Sequence, residues 1–150
     1  MSAPSAPSAP SVPRSRLAPV PAACHELLEV AHHGLAESIT ARTPAERYVA
    51  AHLAALRAAA AVLASRARPG GSRRGPRSVW VVLPEVAPEM GEWAAFFAAG
   101  AGKRAAAEAG LASVVTSRES DDLLRDAASF VSLVEATLGL PHQPAFPLVG

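Results

Sequence analysis

Cysteine is almost missing from this 150-residue chain. The single copy, Cys24, has no partner for an internal disulfide. It falls on the apolar side of a predicted helix and reads as a small core hydrophobe. Aromatic residues make up only 5% of the sequence against an abundance of alanine, which favours closely packed helices over a β-sandwich. No uninterrupted apolar run approaches the ~20 residues that span a bilayer. The N-terminal MSAPSAPSAPSVPRSR has no apolar core of a secretory signal, so a cytoplasmic location without membrane contact is expected. Gly-rich phosphate loops, nucleophile elbows and Cys/His metal spacings are absent as well, so no metal and no cofactor are expected. Net charge is only +1, which excludes an overall basic drive toward nucleic acid. The charge is unevenly spread: residues 1–83 carry ten Lys/Arg against four Asp/Glu, and residues 84–150 carry four against nine.

Half of the residues are apolar, enough for one sizeable core. Residues 1–21 form a Ser/Ala/Pro-rich tail that offers nothing to bury and is expected to be disordered. Residues 22–139 form the domain, and residues 140–150 a Pro-rich C-terminal tail. A first helix over Ala22–Thr40 places Cys24, Leu27, Leu28, Ala31, Leu35 and Ile39 on one face. The stretch TPAERYVAAHLAALRAAAAVLASRA, Thr43 to Ala67, is a long amphipathic helix. It opens on a Thr43/Glu46 capping box with Pro44 in the first turn. Ser78–Leu83 is short and β-branched, but no second strand exists to pair with it, so it is expected to be helical and bent or broken at Pro84 and Pro88. Glu89 to about Ala109 continues as helix, with Met90, Trp93, Ala94, Phe96 and Phe97 inside and with Gly100 and Gly102 loosening or interrupting it. The last helix opens on a second capping box, Thr116/Glu119, and stops at Gly139 and Pro141. The fold class is therefore all-α: an up-down antiparallel bundle of four to five helices.

Three groups carry candidate chemistry. Arg47 and His52 stand in an R-x4-H spacing, residue types that serve a metal-independent ribonuclease as phosphorane stabiliser and general base. Five positions on a regular helix separate them by about 140°, with His52 on the core stripe and Arg47 toward solvent. Glu29-x-x-His32, beside His25 and His33, resembles half of a di-iron motif, but no second copy exists and the group reads as a solvated face. Arg66, Arg68, Arg73, Arg74 and Arg77 make a basic loop able to contact phosphates, though without interleaved aromatics to stack bases. The acidic turn Glu119, Asp121, Asp122 and Asp126 suits a helix N-terminus and needs no catalytic role.

Three blocks together, PAERYVAAHLAALRAAAAVLA, SVWVVLPEVAPEMGEWAAFFAAGAGKRAAAEAG and VTSRESDDLLRDAASFVSLVEATLG, resemble an actinobacterial branch of the HEPN superfamily. The resemblance runs from about Cys24 to Gly139. It implies a bundle of four or five helices that commonly dimerises. It also implies work in RNA cleavage, toxin–antitoxin pairs or defence, or in binding and scaffolding alone. Catalytic members carry R-x4-6-H near the start of a late helix. Here the corresponding Thr116–Arg125 holds arginines but no histidine, and the matching spacing, Arg47 to His52, lies in the second helix, with Tyr48 directly after the arginine. The expectation is a non-catalytic HEPN-like module that pairs as a homodimer and binds RNA, a nucleotide or a protein. The alternative is a toxin-like endoribonuclease using Arg47 and His52.

Overall fold

The computed structural model describes residues 19–66 and 77–141. The two terminal tails therefore lie almost wholly outside the described residues, as does the middle of the arginine loop. Five α-helices follow one another: α1 (Ala22–Thr40), α2 (Pro44–Ser65), α3 (Val79–Val86), α4 (Gly91–Glu108) and α5 (Ser117–Thr137). Short 3-10 turns over Pro88–Met90 and Ala112–Val114 precede α4 and α5. Among the described residues there is no strand, so the chain is all-α.

Local signals set most boundaries. Thr43 caps α2 by accepting from the Glu46 amide at 3.1 Å, although Glu46 does not return the bond and the box is half made. At α5 the box is complete, with Thr116 and Glu119 exchanging side-chain bonds at 3.1 Å each way. The ends of α4 and α5 share one device. Gly110 (φ 96°) and Gly139 (φ 71°) take the left-handed conformation. Leu111 and Leu140 then donate back to the carbonyls of Ala106 and Glu135, satisfying groups that the helix leaves open. Pro84 lies inside α3 without ending it. The helix stops at Ala87, which must leave the helical region because Pro88 follows.

Helix directions follow from who meets whom. The start of α1 meets the end of α2, where the Cys24 thiol donates to the Ala61 carbonyl at 3.3 Å. The end of α1 meets the start of α2, where Ser38 donates to the Arg47 carbonyl at 2.8 Å. These two helices are antiparallel. His52 of α2 touches Phe97 of α4, and Gly100 faces Tyr48, so α4 also opposes α2. Arg47 and Asp121, each near the start of its helix, are joined, so α2 and α5 run parallel. Consecutive long helices thus alternate, while α2 and α5 pack closely as a diagonal pair. Alanine makes that contact possible. Ala51, Ala54, Ala55, Ala58, Ala59 and Ala61 are each at most 1% exposed, and their small side chains let α2 touch every other helix at short range.

Two expectations need correction. Gly100 and Gly102 do not interrupt α4. A Cβ at Gly100 would lie 2.7 Å from the Tyr48 hydroxyl, so this glycine lets two helices approach, whereas Gly102 faces open space. Phe96 is 46% exposed rather than inside, leaning edge-on against Trp93 and Phe97. Among the described helices, α2 alone is long and apolar enough to cross a membrane, and half of that apolar stretch is buried in the bundle.

Candidate functional site

His52 sits at the centre of the molecule, with none of its surface exposed. Its Nε2 lies 2.8 Å from the Phe97 carbonyl oxygen, which can only accept, so Nε2 carries the proton and the ring is neutral or doubly protonated. Burial decides between these forms. It pushes the imidazole below its ordinary range, with Arg104 adding to that direction and the Phe97 carbonyl and Glu108 opposing it. Tyr48 stacks parallel to the ring at 6.4 Å, and Trp80 and Phe97 meet it edge-on at 6.0 Å each. Phe130 and Trp93 extend the aromatic cluster behind Phe97.

Arg47 does not reach toward this ring. Contrary to the solvent-facing position expected of it, the guanidinium folds onto the end of α1. Nε donates to the Ser38 carbonyl at 3.2 Å and Nη2 to the Ala41 carbonyl at 3.3 Å. Nη1 pairs with Asp121 of α5 at 2.6 Å. One cation thus satisfies open carbonyls at a helix C-terminus and ties α1, α2 and α5 together. The spacing that suggested a catalytic pair separates, in space, into a buried aromatic centre and a helix-end clamp.

The family model of the SAV_6107-like HEPN domain matches residues 38–135, from the last turn of α1 to the last turns of α5. The chain belongs to the HEPN family. No curated protein and no solved structure matches it.

The described residues include the two ends of the arginine loop of this HEPN domain. Arg66 donates to the Val86 carbonyl at 2.7 Å and pairs with Glu89 at 2.8 Å. Arg77 pairs with Glu85 at 2.6 Å. Arg66 holds the end of α3 beside α2, whereas the Arg77 pair stays within the α3 segment. Arg68, Arg73 and Arg74 lie outside the described residues. Cys24 is fully buried and free, and burial pushes its thiol up, which keeps it protonated and unreactive.

One constellation was not foreseen. His32 of α1 and Glu135 of α5, 103 residues apart, meet at 3.0 Å between Nε2 and Oε2. Glu135 is only 4% exposed, and its Oε1 has no hydrogen-bond partner among the described residues. A cleft of about 390 Å³ opens beside the pair, lined by both residues and by His25, Leu28, Glu29, Leu140 and Pro141. The sequence did hold a signal. Glu135 lies four residues after Val131 and directly after Val134, within the apolar stripe of α5, where a carboxylate has to find a partner. Among the described residues, no three His, Cys, Asp or Glu side chains are grouped so as to hold a metal ion.

Proposed function

We propose that this HEPN domain is a non-catalytic module that works by binding a protein partner, with pairing of two copies as part of the same reading. The observation that carries it is the enclosure of His52. A general base must reach the proton that it removes. Here Nε2 gives its proton to the Phe97 carbonyl, the basic Nδ1 is buried with no partner among the described residues, and the ring is fully buried against Tyr48, Trp80 and Phe97. Arg47 is likewise engaged, by two carbonyls and a carboxylate. Cutting RNA with this pair requires α2 and α4 to separate at their most aromatic contact.

Charge favours a protein over RNA as partner. The chain carries fourteen Lys/Arg against thirteen Asp/Glu, a formal +1, so it has no basic excess to offer a phosphate backbone. Affinity for a phosphate backbone rests on Lys and Arg that neutralise it. Five of the fourteen, Arg14, Arg16, Arg68, Arg73 and Arg74, belong to the tail and the loop.

The test is a cleavage and binding assay on mixed cellular RNA without added metal, run on the parent, His52→Ala, Arg47→Ala and a triple Arg68/Arg73/Arg74→Gln variant. The expected result is no cleavage and only weak, salt-sensitive binding. Cleavage by the parent that each single substitution abolishes would restore the ribonuclease reading. Tight RNA binding that the triple variant loses would make RNA the partner. Light scattering at tens of micromolar tests the pairing, with a monomer mass counting against it.

A further inference from the structure

The cleft between α1 and α5 lies apart from both Arg47 and His52. His32 and the other α1 residues on its wall precede the segment that matches the family, and Glu135 is the last residue of that segment. Its chemistry is specific. Glu135 is 96% buried, since only 4% of it is exposed, and an ionised carboxylate in such a place needs every lone pair answered. His32 answers Oε2, and with the carboxylate ionised the His32 Nε2 is the donor. Oε1 is buried and left with no partner among the described residues, in a side chain that lines a cleft large enough for a small ligand. Glu29 adds a second carboxylate to the same wall, while Leu28, Leu140 and Pro141 supply apolar surface. The missing counterpart is a hydrogen-bond donor with positive charge and a hydrocarbon stem.

We propose that this cleft binds an alkylammonium ligand, whose ammonium group donates to the Glu135 carboxylate and whose carbon chain lies on Leu28, Leu140 and Pro141. Glu29, at the exposed rim, favours a ligand with a second cationic end. His32 is a positioning residue: it holds the Glu135 carboxylate in place at the cleft wall through Oε2. A metal ion is the weaker occupant, because the side chains of the cleft are not grouped as ligands.

The probe is 1,4-diaminobutane, with 1,4-butanediol as its neutral counterpart of equal length. Calorimetry on the full chain is expected to give saturable one-to-one binding of the diamine and binding of the diol weaker by about tenfold or more. Glu135→Gln keeps the shape and can still accept from His32, but it carries no negative charge. It is expected to weaken diamine binding by about tenfold or more. Glu29→Gln, on the exposed rim, is expected to cost a few-fold. Equal affinity for diol and diamine would overturn the proposal, as would unchanged diamine affinity in a folded Glu135→Gln variant. Amide shifts in the labelled parent protein decide the location without any variant. Diamine-induced changes confined to residues 25–32 and 135–141 support the assignment, and changes centred elsewhere overturn it. Zinc chloride alone, if it binds stoichiometrically and is lost in both Gln variants while the diamine does not bind, would replace the amine with a metal.

Discussion

Two histidines in this HEPN domain make the same kind of bond and stand in opposite surroundings. His52 meets a carbonyl at 2.8 Å, fully enclosed by aromatic rings. His32 meets a carboxylate at 3.0 Å, at the edge of an open cleft. In the first case the ring is neutral packing: backbone answers Nε2, and Nδ1 is buried among the rings without a partner among the described residues. In the second, the imidazole answers only half of a buried carboxylate whose side chain lines a space that a ligand can enter. The comparison teaches that spacing motifs point to residue types, while the partner of each ring nitrogen and its access to solvent decide what the residue can do.

The comparison breaks first at its buried end. His52→Ala removes a ring from the centre of the core and is expected to cost about 1–3 kcal/mol in chemical denaturation, the largest effect of the set. A loss of less than half a kcal/mol would mean that the ring is not packed as described. Arg47→Ala comes next. Because the side chain clamps the end of α1 and reaches Asp121, its removal is expected to cost about 1–2 kcal/mol, where a free surface arginine would cost within about 0.5 kcal/mol. His32→Ala is expected to cost about 1 kcal/mol, since the open cleft lets water reach the abandoned Glu135 carboxylate.

Acid sharpens the contrast between the two rings. Burial holds the His52 pKa below its ordinary value, so the unfolded chain binds a proton that the folded chain refuses. The stability tied to neutral His52 is complete above about pH 6.5 and is lost as the pH falls from there through the lowered folded value. Melting temperature is expected to drop between neutral pH and pH 5 more steeply in the parent than in His52→Gln. Equal slopes would remove His52 as the cause. The smallest effect belongs to a pair of glycines in α4. Gly102→Ala, facing open space, is expected to stabilise by about 0.5–1 kcal/mol through helix propensity. Gly100→Ala meets the Tyr48 hydroxyl and is expected to lose that gain to crowding against α2, so a melt that rises equally for both would refute the close approach.

Much of the fold was legible from local rules. The limits of α1 match the apolar periodicity, and the Thr43 and Thr116 caps and the Gly139 stop fall where the residue types require them. The burial of His52 was legible too, because its place on the α2 stripe beside Tyr48 follows from helical geometry alone. Arg47 was misread because an arginine in a first turn is ordinarily solvated, and nothing within one helix shows that the end of its neighbour needs a donor. Gly100 was misread as a helix breaker for the same reason: propensity sees the missing Cβ and not the tyrosine opposite.

The sequence by itself determined where helices begin and end, which faces they bury and, through its many alanines, that the helices would pack closely. Those properties depend on residues within a few positions of one another, where backbone geometry leaves little choice. Only the tertiary structure decided that α2 and α5 run side by side, that Arg47 clamps α1 to α5, and that His32 reaches Glu135 to form one wall of a cleft. Each of these joins residues distant in sequence. Their meeting depends on how whole helix faces pack against each other, and no local pattern specifies which polar group will face which across the core.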